Sequence, residues 1–388
     1  MIPFENTEVA FRMKTTNDLR QSKLLFSTLS SPKTVGVLKG LTLFSLGIHL
    51  PIKGIIKRTV FRQFCGGETV EQCDPQVARL AEGRVKAILD YSVEGKAQEA
   101  DFDRTLRTTL QTVENAAGHA DIPFGVFKPT GLGPIELYEK VSLGEPLSSE
   151  EQTLWTRVKA RWAAVFESGA KHGVPVLVDA EESWIQPALD DLLFEFMAQY
   201  NTERAMIYNT AQMYRRDRLD QLQHAYQRAV EGGFHYGVKI VRGAYMEKER
   251  ARAKEMGYPD PINPTKAATD ELFDAATTFI LERLDRMAVL IGTHNEQSVQ
   301  HAAQEMGRLH IATNDPRVYI AQLFGMSDHI SFNAAAAGLN AAKYLPFGPV
   351  ADVMPYLFRR AEENTSVEGQ TGRELGLIQR ELNRRRKA

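Results

Sequence analysis

The sequence predicts an α/β protein, a (β/α)8 barrel with an N-terminal helical arm. Three observations lead there. Eight short β-branched or aromatic runs recur between residues 87 and 345. Longer helical patterns separate them, the alternation that parallel strands with helical crossovers require. Polar or aromatic residues follow each run, where such a barrel presents its chemistry. An open doubly wound sheet gives the same alternation. No G-x-G-x-x-G follows a strand and no Walker A motif occurs, so a Rossmann dinucleotide site and a P-loop are unsupported.

In chain order, residues 1 to about 85 read as helical, with breaks at Gly66-Gly67 and Asp74-Pro75. Strands are expected at 87–93, 123–128, 174–179, 205–209, 237–242, 288–293, 317–323 and 339–345. Helices are expected at 150–171, 185–200, 215–231, 265–286 and 297–306, and again from about 350. Pro355 inside the last pattern requires a kink or a restart. The basic end, Arg384-Arg385-Arg386-Lys387, reads as a solvated tail. The expected division is a helical arm at 1–85, a barrel at 86–370 and a helical tail at 371–388.

The 388 residues include 47 basic and 49 acidic side chains, and this balance leaves no electrostatic footprint for nucleic acid. Two cysteines, Cys65 and Cys73, fit a reducing compartment. Their spacing makes no zinc pattern, so no metal is expected. Residues 1–6 carry neither a secretory signal nor an arginine-rich transit pattern, and a cytoplasmic location is expected. The longest apolar stretch, 41–52, is shorter than the roughly 20 residues of a spanning helix. It reads as a buried or amphipathic helix. Lys53, Lys57, Arg58 and Arg62 follow it, which makes peripheral contact with the inner membrane its functional reading.

If the barrel is right, strand C-terminal ends mark the active face. They carry Lys128, Asp179, residues 209–212 and 242–245, Thr293-His294-Asn295, Leu323 and Tyr344. Four segments among and after them are specific together: Lys239-Ile240-Val241-Arg242-Gly243-Ala244-Tyr245, Gly292-Thr293-His294-Asn295, Leu323-Phe324-Gly325-Met326, and Tyr344-Leu345-Pro346-Phe347-Gly348-Pro349 leading to Tyr356-Leu357-Phe358-Arg359-Arg360-Ala361-Glu362-Glu363-Asn364. With Phe64-Cys65-Gly66-Gly67-Glu68 in the arm, this ordered set resembles the proline dehydrogenase family over about residues 60–370. The resemblance implies a distorted (β/α)8 barrel, non-covalent FAD, and oxidation of L-proline to Δ1-pyrroline-5-carboxylate. It also implies a membrane quinone as electron acceptor. The chain ends soon after the barrel pattern, so it reads as monofunctional, served by a separate pyrroline-5-carboxylate dehydrogenase.

The resemblance also assigns residues. Adjacent guanidinium forks can share one small carboxylate, and Arg359 and Arg360 fall on the substrate carboxylate. Glu363, four residues after Arg359 on the same helix face, would hold that arginine. Proline after Lys128 favours extended backbone there. The family lysine at this position contacts the same carboxylate, whereas a barrel lysine could instead form a Schiff base in a lyase. Asp179 is similar to the family aspartate that pairs with a base beside the flavin. Several bacterial members have arginine first and lysine fourth in the strand motif. Here the two are exchanged as Lys239 and Arg242, and Lys239 is expected near flavin N5. Gln212, Arg242, Gly243, Ala244, Thr293 and His294 are carried over as further flavin contacts. Tyr245, Leu323 and Tyr344 would wall the pyrroline ring. Tyr344 would crowd the hydroxyl of 4-hydroxyproline, the alternative substrate.

Overall fold

The computed structural model describes residues 1–29, 53–93, 98–366 and 370–387. The apolar stretch 41–52 lies outside them. The strands are β1 (Val85–Tyr91), β2 (Gly125–Phe127), β3 (Val176–Val178), β4 (Ile207–Gln212), β5 (Tyr236–Val241), β6 (Met287–Gly292), β7 (Val318–Leu323) and β8 (Ala341–Phe347). Each lies within three residues of its expected bounds. They form one sheet in the order β1-β8-β7-β6-β5-β4-β3-β2, and the fold is the expected (β/α)8 barrel. β8 is buried at every position, and β5 and β6 at all but their last. Helix-covered parallel strands read this way, as continuous apolar runs.

The helices are α1 (Thr7–Ala10), α2 (Thr16–Leu29), α3 (Val70–Glu82), α4 (Glu99–Ala117), α5 (Ile135–Ser142), α6 (Ser149–His172), α7 (Gln186–Tyr200), α8 (Arg218–Gly232), α9 (Met246–Met256), α10 (Lys266–Leu281), α11 (Glu296–Arg308), α12 (Asp328–Ala336), α13 (Met354–Ser366) and α14 (Gln370–Lys387), with shorter helical turns between Lys53 and Phe64. Two compact units emerge, Gly95–Ala321 with Met1, and Ile2–Glu94 with Gln322–Ala388.

The first unit holds β2 to β6 and β7 up to Ala321. Parallel pairing runs from Gly125↔Val176 to Gly292↔Ala321. α6 starts at a capping box, with Ser148 and Glu151 each bonding the other's backbone N–H, and ends at Gly173 in left-handed conformation. The expected helix at 265–286 stops at Leu281. Arg286 O instead accepts Tyr236 N (2.8 Å), a bond made at the edge of β5. Around β2, Phe127 packs on Trp162 and Phe166. Trp162 Nε1 donates to Tyr138 OH (2.9 Å), which donates to Pro129 O (3.0 Å). This buried relay fixes the turn after Lys128.

The second unit pairs β1 with β8 in parallel, from Val85↔Ala341 to Tyr91↔Phe347. Its core joins both chain ends: Phe11, Leu19, Phe26 and Phe64 meet Val353, Leu357, Leu377 and Ile378. One expectation fails in this unit and another holds only in part. Asp74-Pro75 does not break the chain, because α3 runs through it. An interior proline costs about 3 kcal/mol. Burying Val70, Cys73, Val77 and Leu80 along one face returns about 1.5–3 kcal/mol for a large apolar side chain, and burial wins. The basic end is a solvated tail only in part: Arg384, Arg386 and Lys387 are exposed, while Arg385 is half-buried. Arg384 and Arg385 both bind Glu381, and Arg385 also donates to Phe11 O (2.9 Å) and Lys14 O (2.8 Å). Pro355 restarts a helix, standing second in α13, where no N–H is required.

Candidate active site

At the C-terminal ends of β2 and β3 and within β5, three charged side chains converge. Lys128 has the extended backbone that Pro129 imposes (φ −100°, ψ 132°). Its ammonium stands 3.5 Å from Asp179 Oδ2. Lys239 contacts the other carboxylate oxygen. The side chains of all three are at most 15% exposed. Burial pushes the Asp179 carboxyl up, but Lys239 and Lys128 together outweigh it and hold it below the usual range. One carboxylate is thus shared by two ammonium groups.

A buried layer positions this trio. Glu181 accepts Thr130 N (2.9 Å) and Thr130 Oγ1 (2.6 Å), tying the loop after β3 to the turn after Lys128. Its backbone carbonyl accepts Gln212 Nε2 (2.7 Å) at the end of β4. Thr210 Oγ1 donates to Val178 O (2.6 Å). Burial raises the Glu181 carboxyl to about 7, despite the opposing Thr130 hydrogen bonds. Sequence reading missed Glu181. Its position two residues after Asp179 was visible, but its burial was not.

The ends of β5 and β6 form a second cluster. Arg242 donates to Asp270 (2.7 Å), Thr293 Oγ1 (2.7 Å) and Ser298 Oγ (3.0 Å) and lies 4.5 Å from the Phe273 ring centre. Gly243 has φ +128°, and a side-chain carbon there would sit 2.6 Å from the Tyr214 ring. Gly243 and Ala244 are exposed, Thr293 is buried, and His294 and Tyr245 are half-buried. Lys248 lies 5.1 Å from the Tyr245 ring centre. The donor set fits FAD: Arg242, Thr293 and His294 suit phosphate and ribose oxygens, and the bare backbone at 243–244 admits a flat ring.

In the second unit, Phe324 N donates to Tyr344 O (2.8 Å), linking the segment after Leu323 to β8. Tyr344 is buried and Leu323 half-buried. Beside Tyr344, the fully buried Lys343 contacts Asp328 Oδ1 (2.9 Å), and Lys14 holds Asp328 Oδ2 (2.9 Å). Burial raises the Asp328 carboxyl, yet the two lysines drive it well below its usual range. This trio was not anticipated, because a lysine inside an apolar strand pattern carries no mark of its partner. Arg359 is half-buried and Arg360 buried, with the Arg360 guanidinium 5.1 Å from the Tyr356 ring centre. Glu363 lies in α13, but its side chain is outside the described residues. Among the described residues there is no cluster of metal-ligating side chains, and no helix is long and apolar enough to cross a membrane.

A family model for proline dehydrogenase matches residues 73–373. The chain is 38% identical over 322 residues to the carbapenem antibiotics biosynthesis protein CarD of Pectobacterium carotovorum subsp. carotovorum, covering 83% of each. It is 42% identical over 248 residues to proline dehydrogenase 1, mitochondrial, of Homo sapiens, covering 62% of this chain and 41% of that one. With the Dictyostelium discoideum counterpart it shares 31% over 392 residues, 89% of this chain and 68% of that one. It thus spans most of CarD but under half the length of the human relative. A solved structure, proline utilization A (PutA) from Bdellovibrio bacteriovorus inactivated by N-propargylglycine, superimposes with a TM-score of 0.73. At 20% identity, over 97% of this chain and 40% of that one, the likeness is one of fold. On the strength of the match across 73–373, this chain belongs to the proline dehydrogenase family.

Proposed function

We propose that this chain oxidises L-proline to Δ1-pyrroline-5-carboxylate with non-covalent FAD and passes the electrons to a membrane quinone. The observation that carries the reading is the buried Lys128–Asp179–Lys239 trio, which lies inside the family match over residues 73–373. When bound, the flavin supplies the acceptor for the hydride leaving C5 of proline.

The protein's own work is charge and orientation. Arg359 and Arg360 take the substrate carboxylate in their planar forks, and Lys128 adds a third positive charge. Leu323, Tyr344 and Tyr245 supply walls for the ring. Fixing one end of so small a molecule converts binding energy into alignment of its C–H bond. Asp179 holds Lys239 in place, so that a fixed cation faces the ring that becomes electron-rich.

The test is a visible spectrum before and after anaerobic L-proline, on the wild type and on Arg360→Ala. Flavin bands that bleach with proline in the wild type are expected. In the variant, flavin should remain bound while KM for proline rises by about two orders of magnitude. Bands that persist in the wild type would move the substrate elsewhere, and unchanged proline kinetics in the variant would remove Arg360 from the carboxylate site.

A further inference from the structure

We propose that the cleft between α2 and α14 is an anion site that takes a phosphoryl group. A cavity of about 430 Å³ is lined, among the described residues, by Thr16, Arg20 and Lys23 of α2 and by Gln379, Leu382 and Arg386 of α14. The spacings i, i+4, i+7 on α2 and i, i+3, i+7 on α14 place each trio on one helix face. Among the described residues, three cations line this space and no carboxylate does.

That imbalance sets the cleft apart from its surroundings. Arg373 and Arg380 reach Glu5, Arg384 reaches Glu381 and Glu8, and Arg385 reaches Glu381. On α2, Asp18 turns to Arg62 (3.1 Å) and Arg79 (3.2 Å). These six basic side chains thus have carboxylates. Lys23 has a neutral amide instead, donating to Gln379 Oε1 at 2.5 Å. Three like charges around one cleft repel each other, and a bound anion removes that repulsion. Two guanidinium forks, an ammonium and the Thr16 hydroxyl are donors for tetrahedral phosphate oxygens. Leu382 is the one apolar residue of the lining among the described residues, and the polar and basic residues around it suit a phosphoryl head. The head can belong to an anionic lipid or to a free phosphate compound.

The full chain, saturated with FAD so that its flavin site is filled, is titrated with inorganic pyrophosphate by calorimetry at low salt. Saturable binding is expected, weakening about fivefold in each of Arg20→Gln, Lys23→Gln and Arg386→Gln. It should also weaken with added salt. Arg380→Gln removes the same charge outside the cleft and should leave the affinity unchanged. Flotation with phosphatidylglycerol and phosphatidylcholine vesicles separates the sources. Attachment to the anionic vesicles that is lost in the triple cleft variant identifies a lipid headgroup. Pyrophosphate binding without such a loss identifies a free phosphate ligand. No binding of pyrophosphate, or the same affinity in the triple variant, overturns the proposal.

Discussion

Lys239 contacts Asp179 although the two residues lie sixty positions apart in the chain. In the sheet, β4 stands between β5, which carries the lysine, and β3, which Asp179 follows. The ion pair therefore reaches across one intervening strand. Thr210 of that strand bonds Val178 O and keeps β3 and β4 together beneath it. Lys128 adds a second cation to the same carboxylate.

Removing that carboxylate leaves two buried ammonium groups facing each other. Asp179→Ala should cost about 3 kcal/mol in stability, read as the shift of a urea midpoint. The double variant Asp179→Ala/Lys239→Met should recover at least half of the loss. A single variant as stable as wild type would mean that the trio is not electrostatically coupled.

Burial pushes the Glu181 carboxyl up to about 7 in the fold, from the 4.5 usual for a solvated glutamate. The folded chain thus holds this proton more tightly than the unfolded chain does. The resulting stabilisation is complete below pH 4.5 and is lost as pH rises through 7. Relative to Glu181→Gln, wild type should lose about 3 kcal/mol from pH 4.5 to about 8, measured by denaturation at a series of pH values. A constant difference across that range would contradict the assignment.

Gly243→Ala sets a side-chain carbon against the Tyr214 ring at a backbone angle that favours glycine. A stability loss of about 2 kcal/mol is expected. The bound flavin per chain should fall with it, read from the visible-to-ultraviolet absorbance ratio. Full flavin content with unchanged stability would show that the loop tolerates the added atom.

Tyr344→Ala should open space for a ring hydroxyl. The ratio of kcat/KM for 4-hydroxyproline to that for proline should rise about tenfold. An unchanged ratio would remove Tyr344 from the substrate wall.

The eight strands were legible because buried parallel strands are short apolar runs with polar residues at their C-terminal ends. The candidate site was legible for a related reason, since Lys128, Asp179 and Arg242 stand where such runs stop. Side chains defined by long-range burial were not. Nothing local distinguishes Glu181, fixed by Thr130, from the neighbouring Glu182, bound to Lys248. Pro75 misled because proline is a local signal, whereas the burial that overrides it belongs to the packed unit. The anchoring of Arg385 was not legible because its partners, Glu381 and the carbonyls of Phe11 and Lys14, are revealed only by the fold.

Thr7 Oγ1 donates to Glu381 Oε2 across 374 positions, and Arg385 holds the carbonyls of Phe11 and Lys14. During synthesis, the second unit cannot finish its core until residues near the C-terminus leave the ribosome. Gly95–Ala321 is contiguous apart from Met1 and carries no such delay. Stalled chains lacking α14 should therefore leave Phe11 and Leu19 open to protease while the intervening strands are already protected. Protection of the arm in those chains would show that it settles without its last helix.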